Sequence, residues 1–541
     1  MAKGYRPVDR DQVFLLPPDM REWLPAGHPV FVVIEALERM DTSAFHAGRR
    51  TGGAGAAGYD PDMLLAVLVW AYAHKVTSSR RMEELCATDV AFRVICAQNL
   101  PDHSTIARFR KDFGGAAAEF FAQVLILCAR LGMGRLGTVA LDGMKIAASA
   151  SKAANRGEKR LRELAAEAVA AHAAADAAED ELFGEGRRGD ELPPDEGAGG
   201  WSPRRRGERI REALAQLEAE REAAQAEQDA KAAEFRARQQ AGQRTGPAPA
   251  GSEVALAEEN LARVIAARQA QLARLGGKHA GTWRAGHLAG VQDYCRVREA
   301  AAKVARARER QAQRQAAAEQ AAGPGPVRNV TDPDSRLMPT RNGFIQGYNT
   351  QNVTSADELI TATELTDHTT DMAWFAPMME KAGQAAALID ANRPARPEGA
   401  GEPGGGPGGI GQALADAGYC SEDNLACDGP DRLIAVGKRR DLEKAARGQD
   451  DSPDQDGGGP AVRAMRERLR TEDGIAAYRQ RGHIAETPHG HIKHNMGFRQ
   501  LSMRGKDKAA AEWTFTCAVY NLFKALTSGH LTPQALAGLA G

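Results

Sequence analysis

Three carboxylates, Asp142, Asp416 and Glu486, stand where a sheet or an adjoining helix would present them rather than in a solvated charge run. Asp142 closes the β-branched stretch GTVAL, Asp416 closes IGQALA, and Glu486 opens the basic stretch ETPHGHIKHNMGF. Carboxylates at strand ends converge at the edge of an open sheet, where ligands bind in α/β folds. Three together offer oxygen-rich, hard ligation suited to Mg²⁺ or Mn²⁺. Two such ions could activate water and stabilise the leaving oxygen of a phosphodiester. Each acid alone also has a plainer reading, because Asp before Gly is common turn chemistry and LADAGY could be one more Asp-containing turn.

Around Glu486 lie four histidines, His483, His489, His491 and His494, which raise the question of zinc. Their spacing argues against it. On a helix, residues 489 and 491 project about 200° apart, so only His491 and His494 share a face, and no cysteine accompanies them. Glu486, His489 and Lys493, at i, i+3 and i+7, share a face instead, an acid flanked by donors. Pro488 is expected in the first turn of that helix, where its missing N–H costs little. The bland alternative is a solvated amphipathic helix.

These side chains need a scaffold. Residues 60 to 131 read as a helical unit. Pro61 after Asp60 opens a helix with a broad apolar face, and PDHSTIARFRKDF offers Ser104 as N-cap, Ile106 and Phe109 inward, and Arg108, Arg110 and Lys111 outward. Short helices ending in a basic one suit a helix-turn-helix-like DNA binder, and they equally suit a helical domain with a solvated basic face. GTVALDGMKIAAS reads as a strand ending in a turn at Asp142 and Gly143, then a second strand. From Asn155 to about Gly323 the composition becomes rich in Ala, Glu, Arg and Gln, as in long helices. Ser202 and Pro203 cap one, with Ile210, Leu214 and Leu217 on its apolar side, and Leu261, Val264, Arg268, Leu272 and Leu275 mark another. Strand character returns with FIQGYNTQNVTS and ELITATELTD. Ala373 to Ala387 reads as a helix. IGQALADAGY and DRLIAVGKRR read as strands flanking a short helix from Ser421 to Ala426, which favours a parallel pair. Lys438, Arg439 and Arg440 could meet a DNA backbone or simply form a solubilising loop. Asp332 and Asp334 read as turn formers, and Trp374 and Trp513 as core.

At 541 residues the chain is expected to hold more than one domain. Its formal charge of −1 and pI near 6.9 identify no polyanionic partner globally, so any nucleic-acid contact must rest on local patches. Seven cysteines, odd in number and without paired CxxC spacing, argue against a disulfide framework or a zinc ribbon. The polar start and the lack of an 18-residue apolar run support neither secretion nor membrane spanning, so a cytoplasmic home is expected.

The sequence resembles a bacterial insertion-sequence transposase of the Asp-Asp-Glu superfamily. The likeness runs through YDPDMLLAVLVWAYAH, PDHSTIARFR, VALDGMKIAASASKAANR, NVTDPDSRLMPTRNGFIQGYN, LADAGY and GHIKHNMGFRQ. The family signature of Tyr, Arg, Glu and Lys is visible as Tyr478, Arg481, Glu486 and Lys493. Two residues separate Tyr from Arg and six separate Glu from Lys, as the signature asks, while Arg to Glu has four in place of the usual three.

The resemblance implies an α/β fold with an RNase H-like mixed-sheet catalytic core at 132–154 and 324–528, an N-terminal helical DNA-binding domain at 1–131, and a helical insertion at 155–323. It implies Asp142, Asp416 and Glu486 as the metal-binding triad, with Mg²⁺ or Mn²⁺, two ions in all. The chemistry would be in-line attack by water, then by a freed 3′-hydroxyl, at element ends and target. Lys493 would hold a phosphate of the bound end, and Tyr478 and Arg481 would position the strand. The expected partners are DNA, as inverted-repeat ends and target, and a second copy in the synapse, without a membrane and at the nucleoid. Competing readings are a catalytically silent DNA-binding relative and a helical oligomerisation scaffold built from the 155–323 segment.

Overall fold

The computed structural model describes residues 19–47, 58–168, 170, 203–241, 249, 251–275, 290–320, 326–394, 409–437 and 459–539. It divides into two compact units, one formed by the chain up to Ala154 and from Asp334 onward, the other by Asn155–Pro333. Among the described residues, strands β1 (Thr138–Ala147), β4 (Arg336–Thr340), β5 (Gly343–Ser355), β6 (Ile360–Thr366), β7 (Gln412–Ala415) and β8 (Asp431–Ile434) belong to the first unit. Strands β2 (Asn155–Gly157) and β3 (Val327–Asn329) belong to the second.

The first unit is a mixed α/β structure around one six-stranded sheet. β1 lies between β5, antiparallel to it, and β7, parallel to it. β8 runs parallel to β7, while β4 and β6 pair antiparallel with β5. β5 and β6 occupy the two stretches expected to alternate, and β7, the Glu422–Ala426 helix and β8 form the expected parallel pair. The expected turn at Asp142 and Gly143 is absent. β1 runs unbroken through both, because every residue from Val139 to Ala147 is paired with β5 from Ser355 to Gly347. Asp142 is therefore a mid-strand residue opposite Asn352, and Gly143 stands opposite Gln351.

One hydrophobic core serves this sheet and the N-terminal helices. It joins Leu65, Leu68, Tyr72, Phe120 and Val124 to Val353 and Leu365 of the sheet and to Trp513 and Phe515 of the Lys506–Thr527 helix. Aromatic edges and faces lock it, with Phe515 against both Tyr72 and Phe120. As expected, Asp60 caps the Pro61–Ala73 helix by accepting from the Asp62 N–H, with proline in the first turn. In the His103–Lys111 helix the cap is Asp102, not Ser104, because its carboxylate accepts from both the Ser104 and Thr105 N–H groups. Arg110, expected outward on this helix, is 9% exposed. Its guanidinium donates to the Thr77 carbonyl at 2.6 Å and lies 3.4 Å from the Tyr72 hydroxyl. Arg108 and Lys111 do face solvent.

The second unit holds the helices Pro203–Gln240, Glu253–Leu275 and Cys295–Gln320. A small core of Leu161, Leu164, Ile210, Ala213, Leu217 and Val330 uses the apolar side expected from Ile210 and Leu217. On the second helix Leu261, Val264 and Leu272 are only half-buried. The deeply buried side chain there is Arg268, stacked 4.4 Å from the Tyr294 ring centre. Exposed pairs such as Arg236 with Glu259 and Arg314 with Glu253 tie helix to helix, each worth little singly. Ser202 and Gly323, and the basic run Lys438, Arg439 and Arg440, lie outside the described residues. Among the described residues no single helix is long and apolar enough to cross a membrane.

Candidate active site

The site starts from strand register. β1 and β7 run parallel with Leu141 opposite Ala415, so the next residue on each, Asp142 and Asp416, stand side by side at the same face. β7 ends at that point. Asp416 caps the Ala417–Tyr419 turn, its Oδ1 accepting from the Gly418 N–H at 2.9 Å. Packed over the same face is the helix Glu472–Gly490, whose Ile484 and Ala485 meet Ala140 and Leu414 in a small apolar cluster. That packing delivers Arg481, whose Nη2 lies 2.9 Å from Asp142 Oδ1 and 3.5 Å from Asp416 Oδ2. One guanidinium thus bridges both aspartates.

Glu486 does not open this helix. The helix begins at the Thr471 cap, and Glu486 is an exposed residue in its last turns, near enough to help raise the pKa of Arg481. Pro488 likewise sits late in the helix rather than in its first turn. Its missing N–H leaves the Ile484 carbonyl without a helical donor, and the chain continues as a wider π turn from His491 to Asn495. The expected shared face of Glu486, His489 and Lys493 is unevenly covered. Glu486 is exposed, His489 is buried and Lys493 is half-buried.

The four histidines face different partners. His483 pairs with Glu358 at 3.0 Å, His491 packs edge-on against Tyr520, and His494 lies 3.1 Å from Arg499. His489 Nδ1 is 3.5 Å from Asp142 Oδ2, and its Nε2 is 3.1 Å from Asn352 Nδ2. Asn352 Oδ1 accepts from Thr363 at 2.6 Å and from the Trp513 indole at 3.4 Å, which turns its NH₂ toward His489. His489 Nε2 therefore accepts, leaving the Nδ1 hydrogen for Asp142.

Charge at the sheet end is unbalanced. Burial pushes the Asp142 carboxyl up, but His489 and Arg481 outweigh it and hold its pKa below the usual carboxylate value. For Asp416 the balance goes the other way. Burial, reinforced by Asp142 and Asp371, raises its pKa despite Arg481. Lys493 is lowered by burial, with Asp142 pulling against that shift. Asp371 is the acid that reading the sequence missed, since TDHTTDMAW carries no strand pattern around it. It sits on the other side of β1, where its Oδ1 accepts from Asn349 at 2.6 Å and Gln351 at 2.7 Å, with Lys145 Nζ at 3.3 Å.

Would these groups suit hard divalent cations? Asp142 and Asp416 supply adjacent carboxylates with one shared positive partner, oxygen donors of the kind a hard cation takes. In donor type the fit is good. Among the described residues, three ligand atoms all within 4.8 Å of one another are found at His46, Asp60 and Asp62, and not at the sheet end, where the Arg481 side chain lies between the aspartates. Arg481, expected to position a DNA strand, is thus turned inward onto two carboxylates.

Comparison with known families adds two matches. A transposase domain (DUF772) matches residues 18–112, and a transposase DDE domain matches residues 459–526. No curated protein and no solved structure matches the chain. In these two segments the chain is similar to transposase domains, the second of the DDE type. Such domains imply DNA as the partner and a DNA-cleaving and joining activity, and the DDE family generally uses divalent metal ions. The second match contains Tyr478, Arg481, Glu486 and Lys493, while Asp142 and Asp416 lie outside both.

Proposed function

We propose that this protein is a DNA transposase that cuts strands at the ends of its element and joins them to target DNA. What supports the reading most is the register of β1 with β7, which sets Asp142 beside Asp416 under a helix belonging to the DDE-domain match. An antiparallel meander continued by two parallel strands, with carboxylates on its central strands, supports an RNase H-like core for the α/β unit. Asp142, Asp416 and Glu486 are the residues that would hold the metal, Mg²⁺ or Mn²⁺ and two ions on this reading. Bound cations would supply an activated water or 3′-hydroxyl and neutralise charge at the leaving oxygen. The chain's own part is positioning. Asp142 is held by His489 and Arg481, and Asp416 by the Gly418 N–H. Lys493 and Tyr478 would contact the phosphates of the bound end, and a second copy would complete the synapse at the nucleoid.

The test is cleavage of duplex DNA bearing the element's ends in the presence of Mg²⁺. Wild type is expected to cut, and Asp416→Asn to bind the same DNA without cutting. Wild-type protein that binds ends but never nicks them would instead identify the catalytically silent relative. Arg108 and Lys111 provide a separate expectation. Exposed on one helix, they would neutralise backbone phosphates, so changing both to Ala should make the slope of log K against log[salt] shallower by about 2. An unchanged slope would remove that helix from the DNA interface. Arg110, buried against Tyr72, has no place in it.

A further inference from the structure

Consecutive residues of β5, Gln351 and Asn352, are both fully buried amides and point to opposite faces of the sheet. Asn352 serves the His489 side. Gln351 faces the other way, where its Nε2 donates to Asp371 Oδ1 at 2.7 Å and its Oε1 accepts from the Tyr419 hydroxyl. Tyr419 is fully buried and ends the three-residue turn that Asp416 begins. Asp371 in turn is anchored through one oxygen by Asn349 and Gln351, with Lys145 beside it. Asn424 closes the circuit. Its NH₂ donates to the Met372 carbonyl at 2.7 Å and to the Tyr419 carbonyl at 2.8 Å, tying the loop of Asp371 to the loop of Asp416.

Two glycines show how closely this is fitted. A Cβ on Gly143 would come within 2.6 Å of Asp371 Oδ1 and 2.9 Å of Gln351 Nε2, so the Asp371 carboxylate occupies the space a β1 side chain would take. A Cβ on Gly418 would stand 3.0 Å from Asp416 Oδ1 and 3.4 Å from Asp371 Oδ2. Both loops are seated on bare backbone.

We propose that Asp371 is a positioning residue of the reaction: through Gln351 and Tyr419 it fixes the turn that carries Asp416, and so sets where that carboxylate can meet a divalent cation. The proposal rests on the transposase reading above. A carboxylate accepting several hydrogen bonds from two strands is a rigid anchor, and an acid orienting a metal ligand through intermediaries typically changes metal affinity about 10-fold to 100-fold when removed.

The experiment uses the full chain and Mn²⁺ alone, with binding followed by titration calorimetry and folding by thermal unfolding. Asp416→Asn is the reference, and if it binds Mn²⁺ as wild type does, the transposase site itself is wrong. With that reference satisfied, Asp371→Asn and Tyr419→Phe should each bind Mn²⁺ about 10-fold more weakly, and the double variant should be no worse than the weaker single. Tyr419→Phe keeps the buried ring and loses only the hydroxyl, so it remains informative if Asp371→Asn folds poorly. High Mn²⁺ should restore DNA cleavage to both single variants. Wild-type Mn²⁺ affinity in folded Tyr419→Phe would overturn the proposal. So would Asp371→Asn losing Mn²⁺ as completely as Asp416→Asn while Tyr419→Phe binds normally, for Asp371 would then be a ligand and not a positioning residue.

Discussion

Asp142→Asn is expected to lower strand cleavage by a factor on the order of 10³ or more, comparable to the removal of one preorganised electrostatic group from an active site, and to destabilise the fold as well. Asn keeps the shape of the side chain but removes the charge to which Arg481 Nη2 is bonded at 2.9 Å and toward which His489 Nδ1 points. Arg481 would keep the longer contact to Asp416, inside a site where its own Nε has no hydrogen-bond partner among the described residues. The pH dependence separates the two aspartates. Asp142 has a folded pKa below its unfolded value, so its contribution to stability is present above the usual carboxylate range and is lost as pH falls through the folded value. Asp416 has a folded pKa above its unfolded value, so its ionisation weakens the fold as pH rises through that range. At pH 7 without divalent ions, Asp142→Asn should therefore lower Tm, whereas Asp416→Asn should leave it unchanged or raise it, although both abolish cutting. Thermal unfolding of the two variants, read beside a nicking assay, checks both halves. A stable Asp142→Asn protein that still cuts would remove the aspartate pair from the chemistry.

How much of this was legible in the sequence follows from which interactions are local. The strands 343–355 and 360–366, the helix after Asp371 and the parallel pair around residues 412–434 show their alternation or periodicity within a few residues, and they form where expected. The turn expected at Asp142 and Gly143 failed because Asp-Gly is a local turn signal, whereas strand pairing across nine residues of β5 is not local and overrides it. Ser104 lost the cap to Asp102 for a similarly small reason, a carboxylate two residues earlier that reaches two N–H groups at once. Pro488 looked like a helix start because proline usually marks one, but the Thr471 cap and the apolar contacts of Ile484 and Ala485 carry the helix well past it before the π turn. Asp371 could not be found at all, since its importance lies in donors from Asn349, Gln351 and Lys145 that only the sheet brings together. Arg110 was misread because an arginine among Arg108 and Lys111 looks like one more surface charge.

The carboxylate linked to buried Arg110 through the Tyr72 hydroxyl gives the largest effect expected on stability. Glu512, 1% exposed on the Lys506–Thr527 helix, accepts from the Tyr72 hydroxyl at 2.8 Å, from the Ser502 N–H at 2.8 Å and from the Met503 N–H at 3.0 Å, and from the Ser502 hydroxyl. Burial works against the charge of Arg110, yet Tyr72 and Glu512 outweigh that and raise its pKa, and Tyr72 is itself pushed well above the ordinary phenol value by burial and by Glu512. One buried carboxylate therefore satisfies donors from the Pro61–Ala73 helix, from the loop after the π turn and, through Tyr72, from the basic helix that carries Arg110. Replacing it by Ala leaves the guanidinium buried without its counter-charge and strands two backbone N–H groups. The expected cost is about 3–5 kcal/mol, the range for breaking a buried charge pair from one side. Arg110→Leu should cost a similar amount for the same reason. If the two act as a pair, the double change Arg110→Leu with Glu512→Leu should cost clearly less than the two single changes added, because no unpaired charge remains. Urea unfolding of the four proteins measures this coupling directly. Strict additivity would mean that Arg110 and Glu512 are buried independently.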